Sequence, residues 1–336
     1  MNTLELIANG SPRALRRELC ALASPLALYH GGSITQGHLA FNLYGDLSKP
    51  CVLVLGGISS GRDIAHVTEQ YASGWWQYQL DTHAIDCREF CVLGIDYLGG
   101  NGQSSRADEA NAPHLLAIST YDQAHAINEL REHLNLDNFY AVIGSSYGGM
   151  VALALAEQYP TTIQRALIIS AADRACPLST AQRYIQRQIV QLGNSTGQTQ
   201  SALAIARELA MVSYRSGEEF RSRFQNRSGI DQNGFQSDVV DYLINRGRDF
   251  SRKFCAQAFL NLSQSIDLHR VDIRKITCQT TCVAVQSDRL IPAAMIETMA
   301  QTMNAQLHRL QSIYGHDAFL KEKTSIAWIV NNFLKN

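Results

Sequence analysis

The sequence predicts an α/β fold in which a mostly parallel sheet is covered by helices on both faces. Short, continuously apolar runs of strand length recur along the chain, and helical patterns follow several of them. Strands that are apolar on both faces are typical of parallel sheets, because helices cover both sides. A further observation divides the fold, since residues 176–277 contain helical patterns without a convincing strand.

The predicted elements follow one another in the order that such a sheet requires. An opening antiparallel pair is expected at residues 26–29 and 39–44. Buried strands are expected at residues 51–55, 90–96, 139–144, 166–170 and 281–285, and the last strand at 307–313. Helices are expected at 120–134, 147–158 and 323–334, the first of them opened by a capping box of Ser119 and Asp122.

The stretch without strands predicts a helical lid inserted into the sheet. Its helical patterns cover residues 181–192, 200–214, 236–245 and 254–268. The sequence thus divides into a core of residues 1–175 and 278–336 and a lid of residues 176–277. Open α/β sheets bind ligands at the carboxyl ends of their strands, and we expect the lid to cover those ends.

Composition excludes several classes of function. Hydrophobic residues make up 46% of the 336 residues and charged residues 18%, which predicts a large buried core. With 29 basic and 30 acidic side chains the formal net charge is −1, which argues against nucleic acid as a partner. No apolar window approaches the roughly 18 residues of a membrane span, and the N-terminus lacks the pattern of a signal peptide.

The cysteines and the glycine-rich turns indicate neither a metal nor a redox cofactor. Four of the eight cysteines form two C-x3-C pairs, at 87/91 and 278/282, without the neighbours of a zinc site. The Gly-Gly-Asn-Gly turn at 99–102 lacks the spacing of a dinucleotide fingerprint. We therefore expect reduced, buried cysteines in a cytoplasmic protein that holds no metal and no cofactor.

One short motif carries the predicted chemistry. Residues 144–148 read Gly-Ser-Ser-Tyr-Gly, a G-x-S-x-G pattern between a predicted strand and a predicted helix, with Ser146 at its centre. The pattern is typical of a sharp turn that exposes a serine hydroxyl, and the start of the helix favours an oxyanion there. Ser146 is the candidate nucleophile, against the alternative of a plain tight turn.

A serine hydroxyl needs a base, and the base needs an acid that orients it. In the α/β-hydrolase fold, which this arrangement indicates, the order along the chain is Ser, then Asp or Glu, then His. Asp288 follows the strand predicted at 281–285, and His316 follows the last strand. Among the ten histidines the rival base is His269, which precedes the acid; the alternative for Asp288 is a turn aspartate.

The expected oxyanion hole combines two backbone N–H groups. One belongs to Tyr147, directly after the nucleophile, and the other to the loop at 56–61, Gly-Gly-Ile-Ser-Ser-Gly. We predict Ile58 as the second donor, with Gly57 as the alternative.

Longer motifs resemble a particular family. They are Ser-Tyr-Gly-Gly-Met at 146–150, Ser-Tyr-Arg-Ser at 213–216, Ser-Asp-Arg-Leu-Ile-Pro at 287–292 and Tyr-Gly-His-Asp-Ala-Phe-Leu at 314–320. In these, and over most of its length, the chain is similar to the homoserine O-acyltransferases (the MetX type) of methionine biosynthesis. The resemblance implies that acyl-CoA, a co-substrate, acylates Ser146 and that homoserine's hydroxyl then takes the acyl group by ping-pong kinetics. It also suggests a homodimer formed through the lid.

Three substrate-binding residues are implied by positions that match the family. Arg207 would grip the α-carboxylate of homoserine, Tyr214 would share its helix face, and Asp317 would pair with the α-ammonium. Their alternatives are a surface arginine, a packing tyrosine and a loop-capping aspartate.

The donor is expected to be succinyl-CoA rather than acetyl-CoA. Many acetyl-transferring members carry a His-Ala-Leu-Thr-type sequence where this chain has Gly-Gly-Ile-Ser at 56–59, and succinyl-transferring members are similar to it there. The free carboxylate of a succinyl group needs a cation when it is buried, and Arg62 is the candidate, with a solvated loop arginine as the alternative.

Other functions share the same residues. A serine esterase or thioesterase would use the same triad with water as the acceptor, and a related transferase would use serine instead of homoserine. A binding protein that kept the fold would not need all three catalytic groups. The sequence leaves the donor, the acceptor, the oligomeric state and any motion of the lid open.

Overall fold

The computed structural model describes residues 14–65, 74–80, 84–106, 117–225, 227–232 and 234–336. Within these residues the strands are β1 (Ala14–Ala21), β2 (Leu26–Ala27), β3 (Ser33–Ile34), β4 (His38–Tyr44), β5 (Cys51–Leu55), β6 (Cys91–Ile95), β7 (Ala141–Ser145), β8 (Arg165–Ile169), β9 (Ser228–Asp231), β10 (Gly234–Ser237), β11 (Gln279–Val285) and β12 (Gln306–Leu310).

The helices of the same residues are α1 (Gln77–Leu80), α2 (Thr120–His133), α3 (Tyr147–Gln158), α4 (Pro177–Ser195), α5 (Thr199–Tyr214), α6 (Gly217–Arg223), α7 (Asp238–Ser251), α8 (Ala256–Leu268), α9 (Ala293–Met303), α10 (Ala318–Lys321) and α11 (Lys323–Lys335). Two short 3-10 helices lie at Ile273–Lys275 and Gly315–Asp317. The capping box predicted at the start of α2 is present, with both of its hydrogen bonds formed.

Eight of the strands form one sheet in the order β1-β4-β6-β5-β7-β8-β11-β12. The six strands from β6 to β12 in this order are parallel, and β4 and β1 are added antiparallel at one edge. Every residue of β5, β6 and β7 is buried, as expected for strands with helices on both sides. The predicted mostly parallel sheet is therefore confirmed.

Two apolar cores cover the two faces of the sheet. Along β5, Leu53 and Leu55 belong to the core that includes residues of α2, α3 and α9, whereas Val52 and Val54 belong to the core that includes residues of α1 and α11. Successive strand side chains point to opposite faces, so a continuously apolar strand supplies both cores. This is why β5 and β6 lack polar residues.

The opening of the sheet differs from the prediction. Residues 26–29 were expected to pair with 39–44, but the partner of β4 is β1, with Leu19 opposite Ala40 and Cys20 opposite Leu39. Residues of β2 pair instead with β3 in a separate two-stranded ribbon. Charged side chains such as Arg16 and Arg17 obscure the strand pattern of β1, but they suit an exposed edge strand, which must resist pairing with other chains.

Between β8 and β11 the chain forms an insert, defined here as residues 177–268. It contains α4 to α8, and α5 packs against both α4 and α7. The sequence predicted helices alone in this region, yet β9 and β10 form a hairpin. The hairpin is largely exposed, with Ile230 88% and Phe235 63% accessible, so it lacks the buried alternation that would predict a strand. Within the described residues no helix has both the length and the apolarity needed to cross a bilayer.

Candidate active site

The turn between β7 and α3 holds Ser146 in an unusual backbone conformation. Ser146 has φ 55° and ψ −122°, and it is the N-cap residue of α3. A non-glycine residue in this region costs on the order of 1–3 kcal/mol, which the surrounding structure must offset. This backbone conformation turns the chain from strand to helix within one residue and leaves the serine hydroxyl at the carboxyl end of the sheet.

Close backbone contacts explain the two glycines of the motif. A Cβ atom at Gly144 would lie 2.3 Å from the carbonyl oxygen of Gly148, and one at Gly148 would lie 2.3 Å from that of Leu55. No real Cβ atom tolerates such distances, so only glycine fits at either position. The spacing that predicted the turn therefore has a steric cause in this chain.

Two hydrogen bonds join the three side chains predicted to form the triad. The Nε2 atom of His316 lies 2.7 Å from the Oγ atom of Ser146, and its Nδ1 atom lies 2.7 Å from Oδ2 of Asp288. The residues follow β7, β11 and β12, which are far apart in sequence but have their carboxyl ends at the same end of the parallel sheet. The structure thus brings together a hydroxyl, an imidazole and a carboxylate in the geometry that nucleophilic catalysis requires.

The carboxylate is held from its other side. The Oδ1 atom of Asp288 accepts hydrogen bonds from the backbone N–H groups of Leu290 and Ile291, at 2.8 and 3.0 Å. Asp288 and His316 are both buried, which shields their hydrogen bond from water. The aspartate therefore has one oxygen fixed by the backbone and the other free to orient the imidazole.

Opposing effects set the pKa of His316. Burial lowers the pKa, but the charge and hydrogen bond of Asp288, together with the charge of Asp317, more than offset it and raise the pKa above the ordinary value of 6.5. Arg183 opposes them weakly. An imidazole with a raised pKa accepts a proton more readily, which suits a general base.

The rival base His269 lies in a different environment. Its ring nitrogens bond to Thr120 Oγ1 at 2.9 Å and to the carbonyl oxygen of Ala172 at 3.1 Å. Burial lowers its pKa to about 4, so it stays neutral near pH 7. Both nitrogens serve packing between α2, α8 and the loop after β8, and the structure gives His269 no contact with Ser146.

The two residues predicted to supply the oxyanion hole line the cavity at Ser146. Ile58 and Tyr147 line the same cavity as Ser146, and a Cβ atom at Gly57 would lie 4.0 Å from the serine hydroxyl. In the described part of the chain, neither Ile58 nor Tyr147 donates its backbone N–H to another group. Both groups are therefore available to a ligand at the serine.

The side chain of Tyr147 is fixed below the site. Its hydroxyl lies 2.7 Å from the Oγ atom of Ser265 in α8, and its ring packs edge-on against Tyr97 at 4.8 Å between centroids. The Tyr97 hydroxyl donates to the carbonyl oxygen of Gly56 at 2.7 Å. One aromatic pair thus connects the turn at Ser146, the loop at 56–61 and the insert.

The cavity at Ser146 lies between the strand ends and the insert. It measures about 40 Å³, and its walls include Arg207 and Tyr214 of α5. The guanidinium of Arg207 stacks over the rings of Tyr214 and Phe250, at 5.0 and 4.8 Å. No carboxylate pairs with Arg207 among the residues that the structure describes, so its charge is available to an anion in the cavity.

Tyr214 and Asp317 flank the histidine. The Tyr214 ring meets the His316 ring at a centroid distance of 5.5 Å and an angle of 60°. Asp317 pairs with a residue that the sequence reading passed over: its Oδ2 atom lies 3.0 Å from an Nη atom of Arg215. Asp317 does not line the cavity itself, but its side chain keeps partial exposure next to it.

Arg62 lies elsewhere, which corrects the sequence prediction. Its side chain is 2% exposed and its Nε atom lies 3.4 Å from Oδ2 of Asp96. Its Nη atoms donate to Gln103 Oε1 and to the carbonyl oxygen of Glu18. Arg62 is not part of the cavity wall at Ser146. Its side chain is directed to the buried carboxylate of Asp96, whose charge it compensates.

A different arginine, which the sequence reading missed, lines the cavity. Arg183 of α4 is a wall residue, and it pairs with Asp267 of α8 at 2.7 Å. Arg187, one turn later, pairs with the other oxygen of Asp267 at 2.6 Å. Two guanidinium groups share one carboxylate, so this wall keeps an excess of positive charge. The sequence around Arg183 contains no motif that predicts a ligand-binding residue. Its place in the cavity wall follows only from the packing of α4 on α8.

Comparisons with known proteins identify the fold and the relatives of this chain. The family model for the alpha/beta hydrolase fold matches residues 50–323. Homoserine O-succinyltransferase of Xanthomonas campestris pv. campestris is 34% identical over 328 residues, 97% of this chain and 85% of that protein. Serine O-succinyltransferase of Litchfieldella anticariensis is 30% identical over 359 residues, 95% of this chain and 98% of that protein. The crystal structure of esterase E22 matches with a TM-score of 0.86 at 18% identity, covering 95% of this chain and 99% of that one; this likeness shows the fold alone.

Proposed function

The chain belongs to the homoserine O-acyltransferase family of the α/β-hydrolase fold, and from this premise we propose that it transfers an acyl group from acyl-CoA to the hydroxyl of L-homoserine, in methionine biosynthesis. The observation that carries the proposal is the pair of 2.7 Å hydrogen bonds from Ser146 through His316 to Asp288, beside a cavity that Arg207 lines. The hydrogen bonds supply a nucleophile, and the arginine supplies a subsite for an amino-acid carboxylate.

In the first half-reaction Ser146 attacks the thioester carbonyl of acyl-CoA. The Nε2 atom of His316 takes the hydroxyl proton while Asp288 holds the imidazole through Nδ1. The tetrahedral intermediate places its oxyanion at the N–H groups of Ile58 and Tyr147. When it collapses, the C–S bond breaks, the imidazolium protonates the leaving CoA thiolate, and the acyl group stays on Ser146 as an ester.

In the second half-reaction homoserine takes the place of CoA. His316 now accepts the proton of the homoserine hydroxyl, whose oxygen attacks the acyl ester. The intermediate collapses with cleavage of the bond to Ser146 Oγ, which regains its proton from the imidazolium. The released product is O-acylhomoserine, and the free enzyme is restored, which gives ping-pong kinetics.

The acceptor is held by both of its charged groups. Arg207 grips the α-carboxylate and Tyr214 supports the guanidinium through its ring face. Asp317 keeps one carboxylate oxygen outside its pair with Arg215 and takes the α-ammonium. The helices of the insert then act as a lid over the site. Serine is shorter by one methylene and presents the same two charges, so it is the competing acceptor to be measured.

We assign the donor preference for succinyl over acetyl to Arg183 instead of Arg62. The excess positive charge that Arg183 and Arg187 leave beside Asp267 suits the free carboxylate of a succinyl group. Arg62 already compensates Asp96 and has no free charge to offer. No metal or cofactor takes part in this scheme, in which acyl-CoA is a co-substrate.

We further propose a cytoplasmic homodimer formed through the insert. All eight cysteines carry free thiols, as suits a reducing compartment. Among the residues that the structure describes, most of the large apolar side chains that are exposed belong to the insert: Leu178, Tyr184, Ile185, Leu192, Ile205, Val212, Ile230, Phe235 and Ile244. Such a concentration favours a protein interface. Sedimentation of the Ile230→Asp, Phe235→Asp double variant as a monomer would support the surface; a wild-type monomer would refute the dimer.

Mass spectrometry of reaction products tests the function. Incubation with succinyl-CoA and L-homoserine is expected to yield O-succinylhomoserine, and Ser146→Ala is expected to lose about 10⁵-fold or more in kcat. Ser145→Ala is the matched control, since its buried hydroxyl faces the carbonyl oxygen of Leu55 at 3.4 Å and not the cavity. Release of free succinate without acyl-homoserine would identify a hydrolase, and failure of Ser146 to react with a fluorophosphonate would identify a non-catalytic binding protein.

A further inference from the structure

A second set of contacts joins the insert to the loop that carries His316. The junction between α5 and α6 supplies Arg215 and α6 supplies Glu219, and both residues are buried. One Nη atom of Arg215 donates to both carboxylate oxygens of Glu219, at 3.1 and 3.2 Å, and the other lies 3.0 Å from Asp317. A single guanidinium therefore bridges α6 and the residue that follows His316.

The backbone of the same junction contacts the same loop. Gly315 has φ +59°, and a Cβ atom there would lie 2.6 Å from the carbonyl oxygen of Tyr214 and 3.0 Å from the N atom of Ser216. The Ser216 hydroxyl donates to the carbonyl oxygen of Ile313 and accepts from the N–H of Glu219. Residues 214–216 thus touch the residues on both sides of the histidine, so the insert is fastened to the site at this point.

The charges of the bridge do not balance. One guanidinium faces the carboxylates of Asp317 and Glu219, which leaves one negative charge in excess. Arg223 reaches Glu219 only at 3.5 Å and its side chain is 45% exposed, so solvent screens most of its effect. The excess charge lies next to His316 and at the carboxylate that we assign to the acceptor's ammonium.

We infer that Arg215 is a positioning residue for this reaction: it holds Asp317 and the His316 loop against the insert, and its ratio of one cation to two carboxylates sets the charge beside the histidine. The inference rests on the proposed function for its link to the acceptor. Its structural part concerns His316 alone. The resulting electrostatics can therefore be measured without any turnover.

The charged groups around His316 and Arg215 determine how a substitution changes the pKa of His316. His316 is surrounded by Asp288 after β11, Asp317 in its own loop, Arg183 of α4, Ser146 at α3, Tyr214 of α5 and Phe319 of α10. Arg215 faces Asp317, Glu219 and Tyr242 of α7. Of these, only the carboxylates and guanidinium groups carry charge near pH 7, so changing Arg215 or Glu219 alters the field at the imidazole in opposite senses.

The decisive measurement is the pKa of His316 from ¹³Cε1 NMR of histidine-labelled protein, the signal being assigned by its loss in His316→Gln. Arg215→Met removes a positive charge and is expected to raise this pKa by on the order of half a unit. Glu219→Gln removes a negative charge and is expected to lower it by a similar amount. Arg223→Met changes a residue on the same helix as Glu219 and near that glutamate, so it is the matched control and is expected to shift the pKa of His316 less than either.

Shifts of the same sign in Arg215→Met and Glu219→Gln, or shifts no larger than that of Arg223→Met, would overturn the inference. Thermal unfolding of each variant identifies one that does not fold. In case Arg215→Met does not fold, Arg215→Lys retains the charge but not the two-sided bridge. For that variant we expect a nearly wild-type pKa with a several-fold higher KM for homoserine; an unchanged KM would contradict the positioning role.

The two proposals fail separately. If the titrations shift as expected but no acylated homoserine is formed, the acceptor is wrong and the positioning of His316 stands. If the wild-type protein forms O-succinylhomoserine and the pKa of His316 does not change in Arg215→Met or Glu219→Gln, the proposed reaction stands and Arg215 has no positioning role.

Discussion

The strand ends and the insert contribute to one cavity in different ways. At the strand ends, Ser146, Asp288 and His316 lie on short loops whose positions follow from the parallel sheet. In the insert, Arg183, Arg207 and Arg215 lie on or beside helices whose positions follow from helix packing. The comparison teaches that the proposed chemistry is built on the loops of the parallel sheet, whereas the proposed choice of substrates is built on the helices of the insert.

The largest effect that tests this division concerns Asp288. Asp288→Asn preserves the shape of the side chain but favours the wrong tautomer of His316, and we expect kcat to fall by about 10⁴-fold. Steady-state kinetics with either acceptor should show the same loss, because the strand ends serve both half-reactions. A fall that depends on the acceptor would mean that Asp288 acts in substrate choice and would break the comparison.

The same division explains what could be predicted from the sequence. The turn at Ser146 requires glycine at positions 144 and 148 for a local steric reason, so the spacing of these residues in the sequence predicts the turn. The order of strands places Asp288 and His316 in loops at the same edge of the sheet, and their convergence follows from topology. Their catalytic roles remain predictions that kinetics must test.

The contacts of three arginine side chains could not be predicted, because no local sequence pattern determines where these side chains point. Arg62 lies four residues from Ile58, yet its side chain turns to Asp96 under the sheet edge. Arg183 enters the cavity only because α4 packs on α8 with Asp267 between them. The proposed role of Arg215 depends on its ion pairs with Asp317 and Glu219, and Asp317 is distant from it in sequence.

The next effect concerns the acceptor. Arg207→Met removes the proposed partner of the α-carboxylate, and we expect kcat/KM for homoserine to fall by about 10²-fold. The rate of CoA release in a single turnover without acceptor should stay within a few-fold of wild type, because the first half-reaction does not use this arginine. Arg207→Lys keeps the charge but not the planar fork, and should recover part of the loss. An equal fall in both half-reactions would argue for a general structural role.

Two arginines then separate donor choice from stability. Arg183→Met is expected to lower the ratio of kcat/KM for succinyl-CoA over acetyl-CoA by roughly tenfold, since the carboxylate of the donor loses a cation. Arg62→Leu is expected to leave this ratio unchanged but to cost about 3 kcal/mol in the free energy of unfolding, because Asp96 stays buried without its partner. Urea denaturation measures the second effect. A donor ratio that responds to Arg62 and not to Arg183 would reverse the assignment.

The smallest effect is a shift in pH dependence at the boundary between the two regions. His316 acts as a base only when neutral, and its pKa lies above 6.5, so acylation of Ser146 should fall on the acid side with a midpoint above pH 6.5. Asp317 contributes to that raised pKa through its charge, and Asp317→Asn should move the midpoint down by on the order of half a unit. The single-turnover rate with succinyl-CoA and no acceptor isolates this effect, since Asp317 then has no substrate ammonium to bind. A midpoint that stays fixed in Asp317→Asn would mean that the charge of Asp317, the residue that Arg215 of the insert contacts, does not influence the imidazole.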